Sequence, residues 1–254
     1  MLERLALWRR ARAAGLHLLI SAFVALLAAT LVFGVWYPGI YRTVSGGREL
    51  FLLVTSVDVI LGPLLTFAVF NPAKGWKHLR RDLAIIGVVQ TAALGYGLHT
   101  VYAARPIAMV FEVDRFRVIT VGDVYEPELP KALPEYRTLP LSGPWLLGTR
   151  EPHEGSEHND ALFMGAAGVD RANRPIFWQP FADSKPEVLA KSRAVSVLLK
   201  HYPDRAAGFR AELAGMKADE ATARFLPLMA RGDWIVVLDA NGNVLGQLQA
   251  DGFF

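Results

Sequence analysis

The amino-acid sequence predicts an α-helical membrane part with three transmembrane helices, followed by a soluble α+β domain. The first observation is composition, because mean hydropathy is +0.26 and 52% of the residues are hydrophobic, above the ~45–50% apolar share of ordinary soluble domains. The second is position, because the apolar excess lies before residue 104 and the remainder has the length of one domain. We therefore expect two domains, at 1–103 and 104–254.

The first domain contains three apolar runs of 21 residues, at 16–36, 50–70 and 83–103. Each is long enough to cross a hydrocarbon core of ~30 Å at a rise of ~1.5 Å per residue. A cleaved signal peptide is the alternative for the first run, but its apolar core would be only ~7–15 residues long. Polar or helix-breaking residues interrupt the runs, namely His17 in the first, Asp58 and Pro63 in the second, and Gln90 and His99 in the third.

The distribution of Lys and Arg predicts the orientation of these helices. Residues 1–15 and 71–82 each hold four basic residues, whereas 37–49 holds two. Because basic flanks stay in the cytoplasm, we expect a cytoplasmic N-terminus, an inner-membrane location and a periplasmic tail. Residues 1–103 carry 10 basic and 4 acidic groups (+6), and the tail carries 17 and 20 (−3). The basic pI therefore comes from membrane flanks and does not indicate nucleic-acid binding.

The tail shows alternating signals for strands and helices. Residues 107–121 are rich in Val, Ile and Phe and predict a strand or a bent pair of strands. The six prolines from Pro127 to Pro152 predict an extended surface loop without a helix or a central strand. Further segments predict one helix from a Ser184–Glu187 capping box to Tyr202, a second after Asp204, a third over 219–229, and a hairpin of 234–238 and 244–248 around Asn241-Gly242.

Neither catalytic nor metal-binding patterns stand out in the sequence. The chain has no cysteine, which excludes disulfides, thiolate nucleophiles and cysteine-bound zinc. The polar segment 153–160 places His153 and His158 five residues apart, which does not match a zinc-binding helix and favours a solvated loop. Its Ser156 or Asn159 would cap a short helix through 161–167. The aromatic segment 174–181 favours core packing over a recognition groove. We expect no cofactor, no metal and no enzymatic activity.

Asp58 is the strongest candidate for a functional residue in the membrane part. A carboxylate in mid-membrane costs at least ~2.5–3.5 kcal/mol and needs a partner. From helix rise, Asp58, Tyr96 and His99 lie about 12, 10 and 6 Å below the outer edge, whereas Gln90 lies about 20 Å down in another layer. Three interpretations remain open: a structural polar knot of the first three residues, a site for a polar or cationic group of a partner helix, and a proton or ion relay.

Several small residues and prolines add to this set. Gly62-Pro63 predicts a kinked second helix that another helix can approach closely, and Gly46-Gly47 predicts a tight turn or a partner-facing loop. Asp114 and Arg115 are neighbours on a predicted strand, so their side chains should face opposite sides and not pair.

Taken together, these residues resemble the TfpX/TfpZ family of type IV pilin accessory proteins. The resemblance covers about residues 37–116 and again 233–239. It is carried by Tyr37-Pro38, Gly46-Gly47 with Glu49-Leu50, the run Val57-Asp58-Val59-Ile60-Leu61-Gly62-Pro63-Leu64-Leu65-Thr66, Asp82-Leu83, Gln90, Tyr96-Gly97, Arg105-Pro106 and Phe111-x-x-Asp114-Arg115-Phe116.

The resemblance implies a non-enzymatic inner-membrane protein that assists type IV pilus assembly. The implied partners are a cognate pilin, contacted through its membrane helix and its head domain, other pilus assembly proteins and the lipid bilayer. Because a pilin's amino terminus would lie about 18 Å from Asp58, helix packing around Gly62-Pro63 is the preferred contact. The alternatives are a membrane-tethered pilin-modifying enzyme and a sensor or subunit of a larger envelope complex.

Overall fold

The computed structural model describes residues 2–71 and 74–254. The chain forms two compact units, Met1–Arg42 with Gly46–Ala104 and Thr43–Ser45 with Arg105–Phe254. The fold class is as predicted, with three long apolar helices ahead of a domain of mixed strands and helices.

The described residues of the first part of the chain form four α-helices. They are α1 (Leu2–Leu31, continued by a π-helical turn at Val32–Trp36), α2 (Tyr41–Val44), α3 (Gly47–Val69) and α4 (Trp76–Ala103). Within the part of the chain that the structure describes, three helical segments are long and apolar enough to span a membrane: Arg4–Trp36, Gly47–Val69 and Trp76–Ala103. The predicted spans fall inside these helices except at residue 70. Helix α4 begins seven residues before its predicted span, because its first two turns are mostly basic and polar and were not counted as part of the apolar run.

The loop between α1 and α3 is held by Tyr37. This ring is fully buried, and its hydroxyl donates a hydrogen bond to the carbonyl oxygen of Val101 at 3.0 Å. Gly46 has φ = +68°, and a Cβ on Gly47 would lie 2.3 Å from the Tyr37 ring. The predicted tight turn at Gly46-Gly47 is confirmed, because glycine suits the left-handed backbone at Gly46 and the close approach of the Tyr37 ring at Gly47. Pro38 lies half-buried beside it, and its carbonyl oxygen accepts from the Tyr41 amide.

The tail contains one eight-stranded mixed sheet. Its order is β4-β3-β1-β2-β6-β7-β8, and β5 pairs with β6. The strands are β1 (Pro106–Glu112), β2 (Arg115–Thr120), β3 (Trp145–Thr149), β4 (Trp178–Pro180), β5 (Arg193–Ala194), β6 (Arg224–Ala230), β7 (Gly232–Leu238) and β8 (Val244–Leu248).

The predicted strand over 107–121 is the hairpin of β1 and β2, which is the bent-pair alternative. Val113 lies in the turn of this hairpin with φ = +55° and is exposed. All seven residues of β1 are buried, because β1 lies inside the sheet with both faces covered.

The proline-rich stretch was wrongly predicted to lack helices and a central strand. Glu126–Lys131 and Pro134–Tyr136 form 3₁₀ turns, and β3 pairs with both β1 and β4. The reason is local, since β3 occupies a proline-free window between Pro144 and Pro152 and prolines are tolerated at the start of short helical turns.

The helices of the tail are α5 (Ser156–Ala166), α6 (Phe181–Lys191), α7 (Val195–His201) and α8 (Ala206–Gly215). The single predicted helix from Ser184 to Tyr202 was wrong, because β5 interrupts it between α6 and α7. Ser184 does not cap α6; its side chain is buried, accepts a hydrogen bond from Gln179 and contacts Gly148. The segment 153–160 was predicted as a loop, but its second half forms the first turns of α5.

The third predicted helix, over 219–229, was also wrong. Residues 224–230 form β6, which pairs with β2, β5 and β7. Strand pairing overrides the weak helical spacing there, and Pro227 lies inside the strand. The closing hairpin of β7 and β8 is confirmed, with the Asp239 carboxylate accepting hydrogen bonds from the amides of Asn241 and Asn243.

Two apolar clusters form the core of the tail. One joins α7 and α8 to β6, β7 and β8 around Phe209 and Phe225, and the other lies around Ile107, Leu147 and Trp178. The aromatic segment 174–181 contributes buried side chains to this core, as the sequence indicated.

Candidate functional site

A cavity with a largely apolar lining and a few polar groups lies between the three long helices. Its volume is about 180 Å³, and its walls carry Ser21 and His17 from α1, Asp58 from α3, and Gln90 and Thr91 from α4. The side-chain oxygen Oδ1 of Asp58 is buried there and has no hydrogen-bond partner among the described residues. A buried acceptor without a donor is costly, so Asp58 is the group in this cavity that a partner's donor would stabilise.

Gln90 is the α4 residue that reaches Asp58. Its amide Nε2 donates to the backbone carbonyl oxygen of Asp58 at 3.3 Å. A Cβ on Gly62 would lie 2.1 Å from the same Nε2 atom. The absence of a side chain at Gly62 thus makes room for Gln90, and the close approach expected of a partner helix at Gly62-Pro63 is made by α4 of the same chain.

The predicted meeting of Asp58, Tyr96 and His99 was wrong. Tyr96 is 76% exposed and His99 is also exposed. Their depth in the membrane matches that of Asp58, but their side of α4 does not. Leu94 lines the cavity, and Tyr96, two residues later, is rotated about 200° around the helix axis and so faces away from it. Gln90 is one turn from Leu94 and shares its face, so its long side chain bridges the two layers that the sequence argument separated.

His17 and Thr66 are a contact that the sequence reasoning missed. The ring Nδ1 of His17 and the Thr66 hydroxyl lie 2.5 Å apart and join α1 to α3. The signal was present, since His17 is the one ionisable group of its span and shares a helical face with the cavity residues at 20, 21 and 24.

The remaining predicted site residues, at the start of the tail, make contacts within the fold. Arg105 is buried and donates from Nη2 to the Pro140 carbonyl oxygen at 3.1 Å, and Pro106 begins β1. The expectation that Asp114 and Arg115 do not pair was wrong, because Arg115 Nε donates to Asp114 Oδ1 at 2.7 Å. Asp114 lies in the hairpin turn, where the alternation of side chains along a strand no longer holds.

Helix α5 presents an exposed apolar face in the tail. Leu162 is 61% exposed and Phe163 is 77% exposed. Glu157 in the first turn of α5 accepts two hydrogen bonds from Arg150 and one from the His153 amide. The bonds from Arg150 are the main cause that lowers the pKa of Glu157 to about 2, so this end of α5 stays anchored at neutral pH. Two adjacent large apolar residues in an otherwise polar stretch were the sequence signal for this face.

The tail residues that the structure describes include no group of three or more His, Asp or Glu side chains placed to hold a metal ion. Two features remain as candidates for contact with a partner: the Asp58 cavity and the exposed side chains of Leu162 and Phe163.

Comparison with known proteins identifies the family. The model of the fimbrial assembly protein FimB family matches residues 6–46. The fimbrial assembly protein of serogroup I from Dichelobacter nodosus is 37% identical over 247 residues, which is 96% of each chain. The serogroup E1 protein is 35% identical, again over 96% of each chain. The chain belongs to the fimbrial assembly protein family.

A shorter member of the fimbrial assembly family, from serogroups C1 and C2 of the same organism, is 44% identical over 122 residues, 48% of this chain and 93% of its own length. No solved structure matches the chain. Membership in this family agrees with the resemblance at its coarser level, and the closer assignment to TfpX/TfpZ stays a prediction.

Proposed function

We propose that this chain is an inner-membrane accessory protein that acts on one type IV pilin during pilus assembly, through non-covalent contacts. The observation that carries the proposal is its similarity to fimbrial assembly proteins over 96% of the chain, membrane helices and tail together. The basic flanks of the three helices support a cytoplasmic N-terminus and a periplasmic tail. In this arrangement the helices contact the pilin's membrane stem and the tail contacts its head, which biases assembly or the balance of extension and retraction.

Binding, rather than catalysis, is the role that the tail geometry favours. Its buried charged groups are engaged in stabilising pairs: Glu112 accepts from Arg117 at 2.8 Å and from the Ala172 amide, and Arg174 pairs with Glu128. Its helix α5 exposes two large apolar side chains, Leu162 and Phe163, which are suited to contact a partner.

The test is a deletion strain complemented with the full chain. We expect the deletion to reduce surface pili, complementation to restore them, and the pilin to co-purify with the accessory protein from solubilised membranes. The intact mass of the pilin should be the same in both strains. A changed pilin mass would instead support the modifying-enzyme alternative, and normal piliation without co-purification would refute the proposal.

The first prediction concerns Asp58→Asn. This change preserves the size of the side chain and removes its negative charge. If Asp58 accepts a donor from the pilin stem, the amount of co-purified pilin should fall at least about tenfold, which corresponds to ~1.4 kcal/mol, while the accessory protein accumulates normally. Ser56→Ala is the matched control, because Ser56 bonds within its own helix to Leu53 and is exposed. Unchanged co-purification in Asp58→Asn would instead favour a purely structural role for Asp58 between the helices of its own chain.

The second prediction concerns the α5 face. The double change Leu162→Ser with Phe163→Ser should weaken pilin co-purification about 30-fold, since apolar anchors at an interface contribute ~2 kcal/mol or more. The control is Leu141→Ser, an equally polar change at a tail leucine that is 70% exposed outside α5. Far-UV circular dichroism should be unchanged in both variants. An equal loss in the control would show that α5 has no special part in binding.

A further inference from the structure

A wide groove lies at one end of the three long helices. This is the end formed by the N-terminal turns of α1. The volume of the groove is about 670 Å³, which is larger than the Asp58 cavity and separate from it. Its residues come from the first turns of α1 and the start of α4, together with the end of α3. The ones that matter here are Trp8, Arg9, Arg12, Leu16, Trp76 and Leu79.

The groove lies in a strongly basic region. Residues 1–15 and 71–82 together hold eight Lys and Arg against two acidic residues, Glu3 and Asp82. Asp82 already lies 3.6 Å from Lys74. Arg9 and Arg12 are exposed at the mouth of the groove. An anion that binds there would meet at least two guanidinium groups from one helix.

The floor of the same groove is apolar. Leu79 is buried, with 4% exposure, and Leu16 extends the apolar surface along α1. Trp8 and Trp76 are 60% and 70% exposed, as expected for rings at the boundary between hydrocarbon and headgroups. The Arg12 guanidinium lies 5.6 Å from the centroid of Trp8, and that of Arg80 lies 5.9 Å from Trp76. The cations therefore lie at the level of the two rings.

We infer that this groove is a binding site for an anionic phospholipid, with its phosphate at Arg9 and Arg12 and an acyl chain along Leu16 and Leu79. Charge complementarity selects the anionic headgroup, because each basic residue near the membrane surface adds an attraction that a zwitterionic lipid lacks. The apolar floor selects a lipid over a soluble phosphate, which would leave that surface in contact with water. The inference depends on the helices spanning a membrane and is independent of the identity of the pilus partner.

The experiment measures lipid binding to the purified full chain in a neutral detergent. Native mass spectrometry with phosphatidylglycerol or phosphatidylcholine of the same acyl chains should show at least tenfold tighter binding of phosphatidylglycerol. Arg9→Gln with Arg12→Gln should reduce phosphatidylglycerol affinity about 10- to 30-fold and leave phosphatidylcholine binding unchanged. The matched control is Arg42→Gln with Arg48→Gln, the same charge change in the loop between α1 and α3.

A second measurement follows tryptophan fluorescence, so it does not depend on the arginine variants. Phosphatidylglycerol brominated on its acyl chains should quench tryptophan fluorescence, and Trp8→Phe with Trp76→Phe should remove most of the quenching that is specific to this lipid. Glycerol 3-phosphate, a soluble anion, should not displace the lipid at equal concentration. Equal affinity for the two lipids, an equal loss in the control, or displacement by glycerol 3-phosphate would each overturn the assignment.

Discussion

Gly97→Leu is expected to reduce the free energy of unfolding of the helical unit by about 3 kcal/mol, the upper part of the range for overpacking a filled interior. Gly97 is buried where α4 meets α3. A Cβ at this position would lie 2.2 Å from Cγ1 of Val54, and the remaining leucine atoms have no space unless the two helices separate. The measurement is unfolding of the purified chain in micelles by added sodium dodecyl sulfate, followed by far-UV circular dichroism.

Gly95 provides the matched control for this prediction. It lies on the same helix, and a Cβ added there meets nothing within 4 Å, so Gly95→Leu should leave the unfolding midpoint nearly unchanged. The milder Gly97→Ala should also destabilise, and Val54→Ala should partly rescue it by removing the contacted methyl groups. If both leucine variants behave alike, or the rescue fails, the close contact of α3 with α4 is not what stabilises this unit.

Arg174→Met is expected to destabilise the tail by about 3–5 kcal/mol, the cost of leaving one member of a buried ion pair uncompensated. The Arg174 side chain is 3% exposed and that of Glu128 is 9% exposed, and their closest atoms lie 2.5 Å apart. Arg174 also pairs with Asp160 at 2.6 Å and lies over the ring of Phe177. Removing the guanidinium leaves Glu128 buried without its ionic partner, whereas Asp160 is half-exposed and can be hydrated.

The double change Arg174→Met with Glu128→Met separates charge burial from packing. Because a buried ion pair replaced by apolar groups is often neutral, it should recover most of the stability lost in the single variant. Arg210→Met is the surface control; its pair with Glu220 is exposed on both sides and should make no resolvable difference. Urea unfolding followed by tryptophan fluorescence measures all three. A double variant as unstable as Arg174→Met would show that the arginine acts through packing.

How well the sequence predicts an element depends on where its stabilising contacts come from. Elements stabilised by neighbouring residues are predictable, whereas elements stabilised by distant parts of the chain are not. The three long apolar helices were predictable because a largely apolar run of 21 residues has the length and composition of a membrane span, in which only a helix satisfies all the backbone hydrogen bonds of a single segment. The closing hairpin around Asn241-Gly242 was predictable for a similar reason, since its turn is determined by neighbouring residues.

The rest of the tail shows where local patterns fail. Residues 219–229 carry a weak helical spacing, but 224–230 form β6 because this segment pairs with β2, far earlier in the chain, as well as with the adjacent β7. The same holds for the break between α6 and α7 at β5, whose partner β6 lies some 30 residues later. Long-range strand pairing outweighs local propensity of a few tenths of a kcal/mol per residue.

The Asp58 site combines both situations. Its chemistry was evident from the residue type alone, because a carboxylate in an apolar run demands a partner. Its neighbours were not, because helix rise gives depth and leaves rotation undefined until the helices pack. The contact between Gly62 and Gln90 sets the rotation of α4, so Gln90 reaches Asp58 while Tyr96 and His99 face outward. The contact of His17 with Thr66 orients α1 against α3 in the same way.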